Sequence, residues 1–345
     1  MAGKLYMADK TFPFDEDIFF ADYQDEPDLV KNVLVTSGIM VDDPLIKSKV
    51  NAGNQFTIPF YNALDEADEQ NYDGVTDITL STIGASSQTG YVYGRAHGWY
   101  ADDFPQDFTT ANPMAAIAAR AAKWRQTKRN KRLAGIAEAV LGANGMTDHT
   151  VTVDTLTATT LSDAAQKVYG DNKSTVKLAL MHSSVAQAFE DMERVDYLKY
   201  TDPNGVTTDL NVYQVNGLTV LVTDEMPHTA ATSGESAKAA TYTTYLFGEG
   251  AFRYADIGVA RPVFNGRDEL KRGGTSYLGY RLREAIHPNG FNFTAPKETG
   301  TSNPNKGNPV ISPTDAQLAT AGNWSLAYSE HRAIPFMKLV TPGVA

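Results

Sequence analysis

The chain has 345 residues, 42% hydrophobic and 21% charged, a balance typical of folded proteins, and is long enough for two or three compact units. Its formal charge of −11 argues against general polyanion binding, and the absence of cysteine excludes disulfides, thiolate metal sites and cysteine nucleophiles. No apolar run approaches the ~20 residues that span a bilayer, and the N-terminus lacks an apolar signal core, so synthesis in a reducing cytoplasm with no membrane insertion is expected.

Residues 1–50 show little periodicity but are rich in acids and aromatics, among them Phe12, Phe14, Phe19, Phe20 and Tyr23. Such a segment builds no core of its own, which leaves two readings: an arm laid across this or another subunit, or a segment packed on its own domain. Residues 54–60 alternate apolar and polar as a half-buried strand does, with Pro59 suited to an edge. Strands are also expected over 76–83 and 89–100. Between the first two sits an acidic stretch, Asp65, Glu66, Asp68, Glu69 and Asp73, closed by Asp73-Gly74. The whole reads as a long β-hairpin with a solvated tip, marginal unless it packs on a partner.

Asn112-Pro113 is a strong helix start, because proline at the first helical position loses no hydrogen bond. An apolar stripe through Met114, Ile117, Ala121, Trp124, Leu133, Ile136 and Val140 predicts one helix from Asn112 to Gly142, a rod of roughly 45 Å. That helix carries Arg120, Lys123, Arg125, Lys128, Arg129, Lys131 and Arg132, and no carboxylate before Glu138. Beyond it, strands are expected at 151–153, 176–181, 241–247, 276–286 and 334–340. A helix opens at Ser162 and ends at Gly170, and a Ser184–Gln187 capping box starts another that runs to Met192. Asn216-Gly217 marks a two-residue turn inside a hairpin over 212–222, and the Asn-Gly pairs at 265–266 and 289–290 bracket the 276–286 strand. Residues 295–313 read as an exposed loop, and Ser312-Pro313 starts a short helix ended by Gly322. Strands and helices mix without regular β-α-β alternation, so the fold class is α+β.

Catalytic signatures are lacking. The sequence holds no phosphate-binding loop and no nucleophile elbow, and Gly248-Glu-Gly250 lacks the third glycine of a dinucleotide fingerprint. The six histidines stand far apart, none at metal-ligand spacing. His182 ends a buried strand just before a helix, where catalytic groups often sit, and together with Glu249 it frames a hydrolase reading. A histidine bonded to nearby backbone is the plainer account. The acidic stretch lacks the alternating ligands and central glycine of a calcium loop. No cofactor, metal or catalytic residue is assigned.

The order of parts resembles the major capsid proteins of tailed bacteriophages with the Hong Kong 97-type fold. Leu178-Ala-Leu-Met181-His182-Ser183-Ser-Val185, Val215-Asn216-Gly217-Leu-Thr-Val220, Tyr245-Leu-Phe247-Gly248-Glu-Gly250-Ala251 and Asn323-Trp324 ahead of Ile334-Pro-Phe all read like phage coat sequences. The resemblance implies an N-terminal arm over 1–53, an E-loop hairpin over 54–110, and the spine helix with the start of the P-domain over 111–175. It further implies an A-domain over 176–250, P-domain strands over 251–293, and a loop with return to the A-domain over 294–345.

The implied function is that of a non-enzymatic coat protein, self-assembled as hexamers and pentamers into an icosahedral virion shell around double-stranded DNA. Its implied partners are a separate scaffolding protein, a portal protein and non-specifically bound DNA, but no membrane. The candidate assembly contacts are Asp65, Glu66, Asp68 and Glu69 on the hairpin, and Arg120, Lys123, Lys128, Arg129 and Arg132 on the helix. For the helix cluster a merely solvated face is an equal alternative. Encapsulin-type compartments share the fold and are the competing shell reading; a soluble hydrolase or a surface-layer protein are the remaining ones.

Overall fold

The computed structural model describes residues 3–7, 10–14, 39–50, 54–64, 69–75, 77–104, 113–143, 145–192, 196–201, 207–215, 217–224, 226–230, 240–299 and 304–342. In chain order the strands and helices begin with β1 (Gly3–Met7), β2 (Lys10–Phe14), β3 (Met40–Asp42), α1 (Pro44–Lys49), β4 (Gln55–Tyr61), β5 (Ala85–Tyr91) and β6 (Tyr93–Asp102). The helix α2 (Pro113–Leu141) follows, then β7 (Thr150–Thr152), α3 (Thr160–Tyr169), β8 (Val176–Met181) and α4 (Ser183–Asp191). Next come β9 (Asp196–Thr201), β10 (Thr207–Val215), β11 (Leu218–Val222), β12 (His228–Thr229), β13 (Thr241–Gly248) and β14 (Phe252–Asp256). The chain closes with β15 (Val263–Asp268), β16 (Thr275–Pro288), β17 (Phe291–Phe293), α5 (Asp315–Leu318), β18 (Trp324–Leu326) and β19 (Phe336–Pro342). The class is α+β, as the mixed pattern implied.

These elements fall into two compact units. One comprises Met1–Lys31, Gly94–Lys128 and Gly258–Arg283; the other comprises Asn32–Tyr93, Arg129–Ile257 and Glu284–Ala345. In the second unit an eight-stranded mixed sheet runs β7-β19-β13-β8-β11-β10-β9, with β12 beside β13. Its central strands are apolar on both faces, so successive residues enter different cores. Leu180, Tyr245, Phe247 and Phe336 pack with Leu133, Ile136 and Val140 of α2. Their neighbours Ala179, Met181, Leu246 and Met337 pack with Leu161 and Val168 of α3 and Val185 and Phe189 of α4. A smaller core joins Ile46, Phe56, Ile58, Val92, Ala255 and Ala285. In the first unit, β15 pairs with the opening half of β16, and β6 pairs with β16 as well.

Several expected elements shift. The helix runs Pro113–Leu141, one residue short at the Gly142 end, and Asn112 lies outside the described residues. The helix after β8 starts at Ser183, because the His182 side chain rather than Ser184 caps it, accepting from Ser184 N at 3.1 Å. The short helix near 315 has a full capping box on Thr314 and Gln317, two residues later than its expected start. Gly217 lies between β10 and β11 with a φ of 78°, which a side chain would resist, while Asn216 lies outside the described residues. Asn265-Gly266, by contrast, lies inside β15. A Cβ on Gly266 would meet the Tyr277 hydroxyl oxygen at 2.2 Å, so this glycine admits a cross-strand tyrosine and makes no turn. Of the aromatic residues singled out in 1–50, Phe19, Phe20 and Tyr23 fall outside the described residues.

Candidate assembly surfaces

The hairpin differs from its expectation in a way that bears on function. Its return strand is not 76–83 but β5, Ala85–Tyr91, paired antiparallel with β4 from Gln55↔Tyr91 to Tyr61↔Ala85. Past that ladder, no strand forms among the described residues of 62–84. The two arms of this ribbon are held by a few isolated bonds: Asn62 N to Gly84 O at 2.8 Å, and a double contact at Gln70. There the side chain donates to Thr79 O at 3.1 Å and accepts from Thr79 N at 2.9 Å. At the tip, Asp73 accepts from Val75 N at 2.8 Å beside Gly74, whose φ is 70°. The base is tied down firmly. Gln88 donates to the Tyr328 hydroxyl at 2.8 Å, Thr89 N to Asn292 at 2.8 Å, and the Phe60 ring meets Tyr328 edge-on.

Along the ribbon, Leu64, Tyr72, Val75, Ile78, Leu80 and Ile83 are 50–89% exposed. The alternation that suggested a strand over 76–83 is present, but these side chains meet no core. The same stretch carries Asp65, Glu66, Asp68, Glu69, Asp73 and Asp77, and no Lys or Arg occurs between Lys49 and Arg95. Asp65, Glu66 and Asp68 lie outside the described residues; Glu69 is exposed. The described part of the ribbon thus exposes large apolar side chains beside carboxylates, the kind of patch that contact surfaces carry.

The basic helix splits into two. Arg120 and Lys128 are exposed, Lys123 is half-buried, and the Lys128 ammonium lies 5.2 Å from the Trp124 ring centroid. Arg129 and Arg132, by contrast, do not lie on an exposed basic face as expected but point at Glu284 within the second unit. Glu284, 1% exposed, takes Arg129 through two bonds of 2.6 and 3.1 Å on Oε2, and Arg132 through one of 2.7 Å on Oε1. Tyr93 donates to Oε1 at 3.4 Å and Tyr254 to Oε2 at 3.3 Å, while each guanidinium stacks on one of those rings, at 4.8 and 4.9 Å. Arg132 also binds Asp315 at 2.7 Å. Burial works against both guanidinium charges. For Arg129 the Glu284 carboxylate outweighs it; for Arg132 the surrounding Tyr93, Asp315 and Glu284 do, so both hold their protons more tightly than usual. The physical reason for the correction is geometric: two of the seven cations sit on the side of the helix that faces a buried acid. Burial, with Glu284 adding to it, pushes the Tyr254 hydroxyl up to about 12.

The remaining candidates have structural duties. His182 caps α4 and lies against Tyr242 and His228, and burial holds its pKa below the ordinary histidine value. Glu249 pairs with Lys177 at 3.2 Å. Among the described residues, no cluster of three or more His, Asp or Glu is arranged to hold a metal, and no helix is long and apolar enough to cross a membrane. Sequence reasoning passed over Glu284 and the exposed apolar side chains of the ribbon, which the structure makes the two most informative features.

No family model matches the chain. Over 300 residues it is 27% identical to the major capsid protein of Bacillus phage SPP1, covering 85% of this chain and 86% of that protein. Its fold is similar to the capsid asymmetric unit of cyanophage Pam1, with a TM-score of 0.56 and 8% identity across 98% of this chain and 99% of that one. It is also similar to the head structure of Helicobacter pylori bacteriophage KHP40, with a TM-score of 0.51 and 12% identity over 86% of each chain. At such identities the structures speak for the fold alone, and that fold is the Hong Kong 97-type of phage capsids. The similarity to a phage major capsid protein, together with the shared capsid fold, supports a structural coat protein of the icosahedral head, located in the virion capsid and assembled with other subunits into a shell.

Proposed function

We propose that copies of this chain close as hexamers and pentamers around double-stranded DNA, each laying its ribbon over a neighbouring copy. In this reading residues 1–53 form the arm, 54–110 the E-loop and 111–175 the spine helix with the start of the P-domain. Residues 176–250 with 294–345 form the A-domain, built on the large mixed sheet, and 251–293 the P-domain strands. A separate scaffolding protein guides closure, a portal protein completes the head, and packaged DNA is held non-specifically; the chain is made in the host bacterial cytoplasm. Repeated symmetric contacts let modest individual interfaces hold a closed shell.

One observation carries the reading: a ribbon with six large apolar side chains exposed and six carboxylates without a single cation. Its ends are already adjacent, since Asn62 N meets Gly84 O at 2.8 Å, so residues 63–83 are replaceable by a two-residue Asn-Gly turn. The variant is expected to melt within about 1 kcal/mol of the parent and to form no closed particles, as read by thermal unfolding and negative-stain microscopy. Normal particles from this variant would remove the ribbon from the mechanism.

A further inference from the structure

Two histidines 182 residues apart in sequence meet where two neighbouring parallel strands begin. His149 ends the short turn Thr147–His149 ahead of β7, and His331 opens the turn His331–Ala333 ahead of β19. His149 is fully buried and His331 half-buried. His149 Nε2 lies 3.2 Å from His331 Nδ1, and His149 Nδ1 lies 2.8 Å from the Phe336 carbonyl oxygen. A carbonyl only accepts, so His149 carries its proton on Nδ1 and, when neutral, offers a lone pair on Nε2. His331 must then donate from Nδ1, which leaves its Nε2 as the bare nitrogen of the pair. That atom faces two exposed carboxylates, Glu330 Oε1 at 3.8 Å and Asp148 Oδ2 at 3.9 Å. A lone pair between two carboxylates is a poor contact, and one added proton turns it into two ion pairs. Among the described residues no cluster is arranged to hold a metal, so the cation that fits there is a proton.

We propose that this pair is a proton-operated clasp: one proton, taken up at His331 Nε2 and not at His149, fastens the Thr147–His149 turn to the His331–Ala333 turn and so ties down β7, an edge strand of the large sheet. A second proton is refused, because a charged His149 would set an N–H on Nε2 against the Nδ1–H of His331. Burial works the same way and holds the His149 pKa below the ordinary value, although its bond to the Phe336 carbonyl pulls in the other direction. The other titratable neighbours leave the site to His331. Tyr169, edge-on to His149 at 5.6 Å, gives its hydroxyl to Ile334 O at 3.0 Å, and burial keeps that phenol protonated. Arg332 lies 4.0 Å from the same Glu330 oxygen, so Asp148 is the less shared of the two carboxylates. The clasp closes within each copy and does not depend on how copies assemble.

The test compares the full chain with His331→Gln, which keeps an N–H donor for His149 but cannot take the proton. Hydrogen–deuterium exchange, corrected for its intrinsic pH dependence, is followed over residues 146–152 and 331–337. It is measured at about pH 8 and about pH 5.5, on either side of the ordinary histidine value. At the higher pH the two chains should exchange alike. At the lower pH the parent should be about threefold better protected, the size that two exposed ion pairs warrant. His182 and His287 are common to both chains, so their contributions cancel. Asp148→Asn with Glu330→Gln, which leaves His331 in place, should abolish the same gain. Equal protection of parent and His331→Gln at both pH values would overturn the clasp. A parent less protected than the variant in acid would also overturn it, because the proton would then sit on His149. So would a gain that survives in the carboxylate double variant.

Discussion

Two regions of this chain handle carboxylates in opposite ways. At Glu284 one buried acid is met by two arginines and two tyrosines, and Asp315 balances the second guanidinium, so the cluster is neutral and saturated. Along 62–84 the sequence carries six acids and no cation, and the described ones, Glu69, Asp73 and Asp77, are exposed. The first arrangement is complete within one chain and serves the fold. The second, in the function proposed above, serves assembly with a neighbouring copy. The long helix α2 links the two logics, with Arg129 and Arg132 spent on the interior and Arg120 and Lys128 left at the surface.

The sharpest way to break this contrast is Glu284→Ala. It leaves the half-buried Arg129 without its carboxylate and the buried Arg132 with Asp315 alone, and breaking a buried ion pair in this way typically costs about 3–5 kcal/mol. A thermal or urea melt of the unassembled chain is expected to show that loss. A loss below about 1 kcal/mol would mean that the cluster is not a closed interior unit. For the same reason an alanine triple at Lys128, Arg129 and Arg132 does not isolate assembly from stability, because two of the three belong to the core.

The sequence made α2 plain: an Ala-rich run, proline at the first helical position and a long apolar stripe all agree. The alternating cores of β8, β13 and β19 were also legible, since continuous apolar runs mark strands buried on both faces. The ribbon misled. Ile78 and Leu80 alternate with Asp77 and Thr79 as a half-buried strand would, and nothing local records that no partner strand lies opposite among the described residues. Glu284 was hidden for another reason. Its arginine partners lie 152 and 155 residues away in sequence, and a single acid within a strand signals nothing until the helix docks. The acidic tip itself was noticed, and three of its five named acids fall outside the described residues.

A smaller effect sharpens the comparison from the side of pH. His287 is 1% exposed, set edge-on to Phe56. Burial first, and the nearby Arg253 charge second, push its pKa down to about 3. The unfolded chain takes up a proton on this ring near pH 6.5, whereas the folded chain resists until about pH 3. Stability from this group is therefore complete above pH 6.5 and is lost as pH falls towards 3. Between pH 7 and pH 5 the loss amounts to about 2 kcal/mol. Urea melts across this range should show a slope that His287→Asn flattens, and an unchanged slope would assign the acid sensitivity elsewhere.

The smallest effect on stability is the most telling about function. Arg120→Ala with Lys128→Ala removes two exposed cations from α2, of which Lys128 lies 5.2 Å from the Trp124 ring centroid. Exposed cation–π contacts contribute about 0.5–1 kcal/mol, and alanine recovers part of that through its helix propensity, so the melt should move by no more than about 1 kcal/mol. Particle formation, however, repeats the same contact at every copy, and a deficit too small to unfold one subunit multiplies across a closed shell. Light scattering during assembly should thus show a marked delay or lower yield from a chain that melts almost normally. Equal losses in both measurements would place these cations with Arg129 and Arg132, as interior support rather than contact surface.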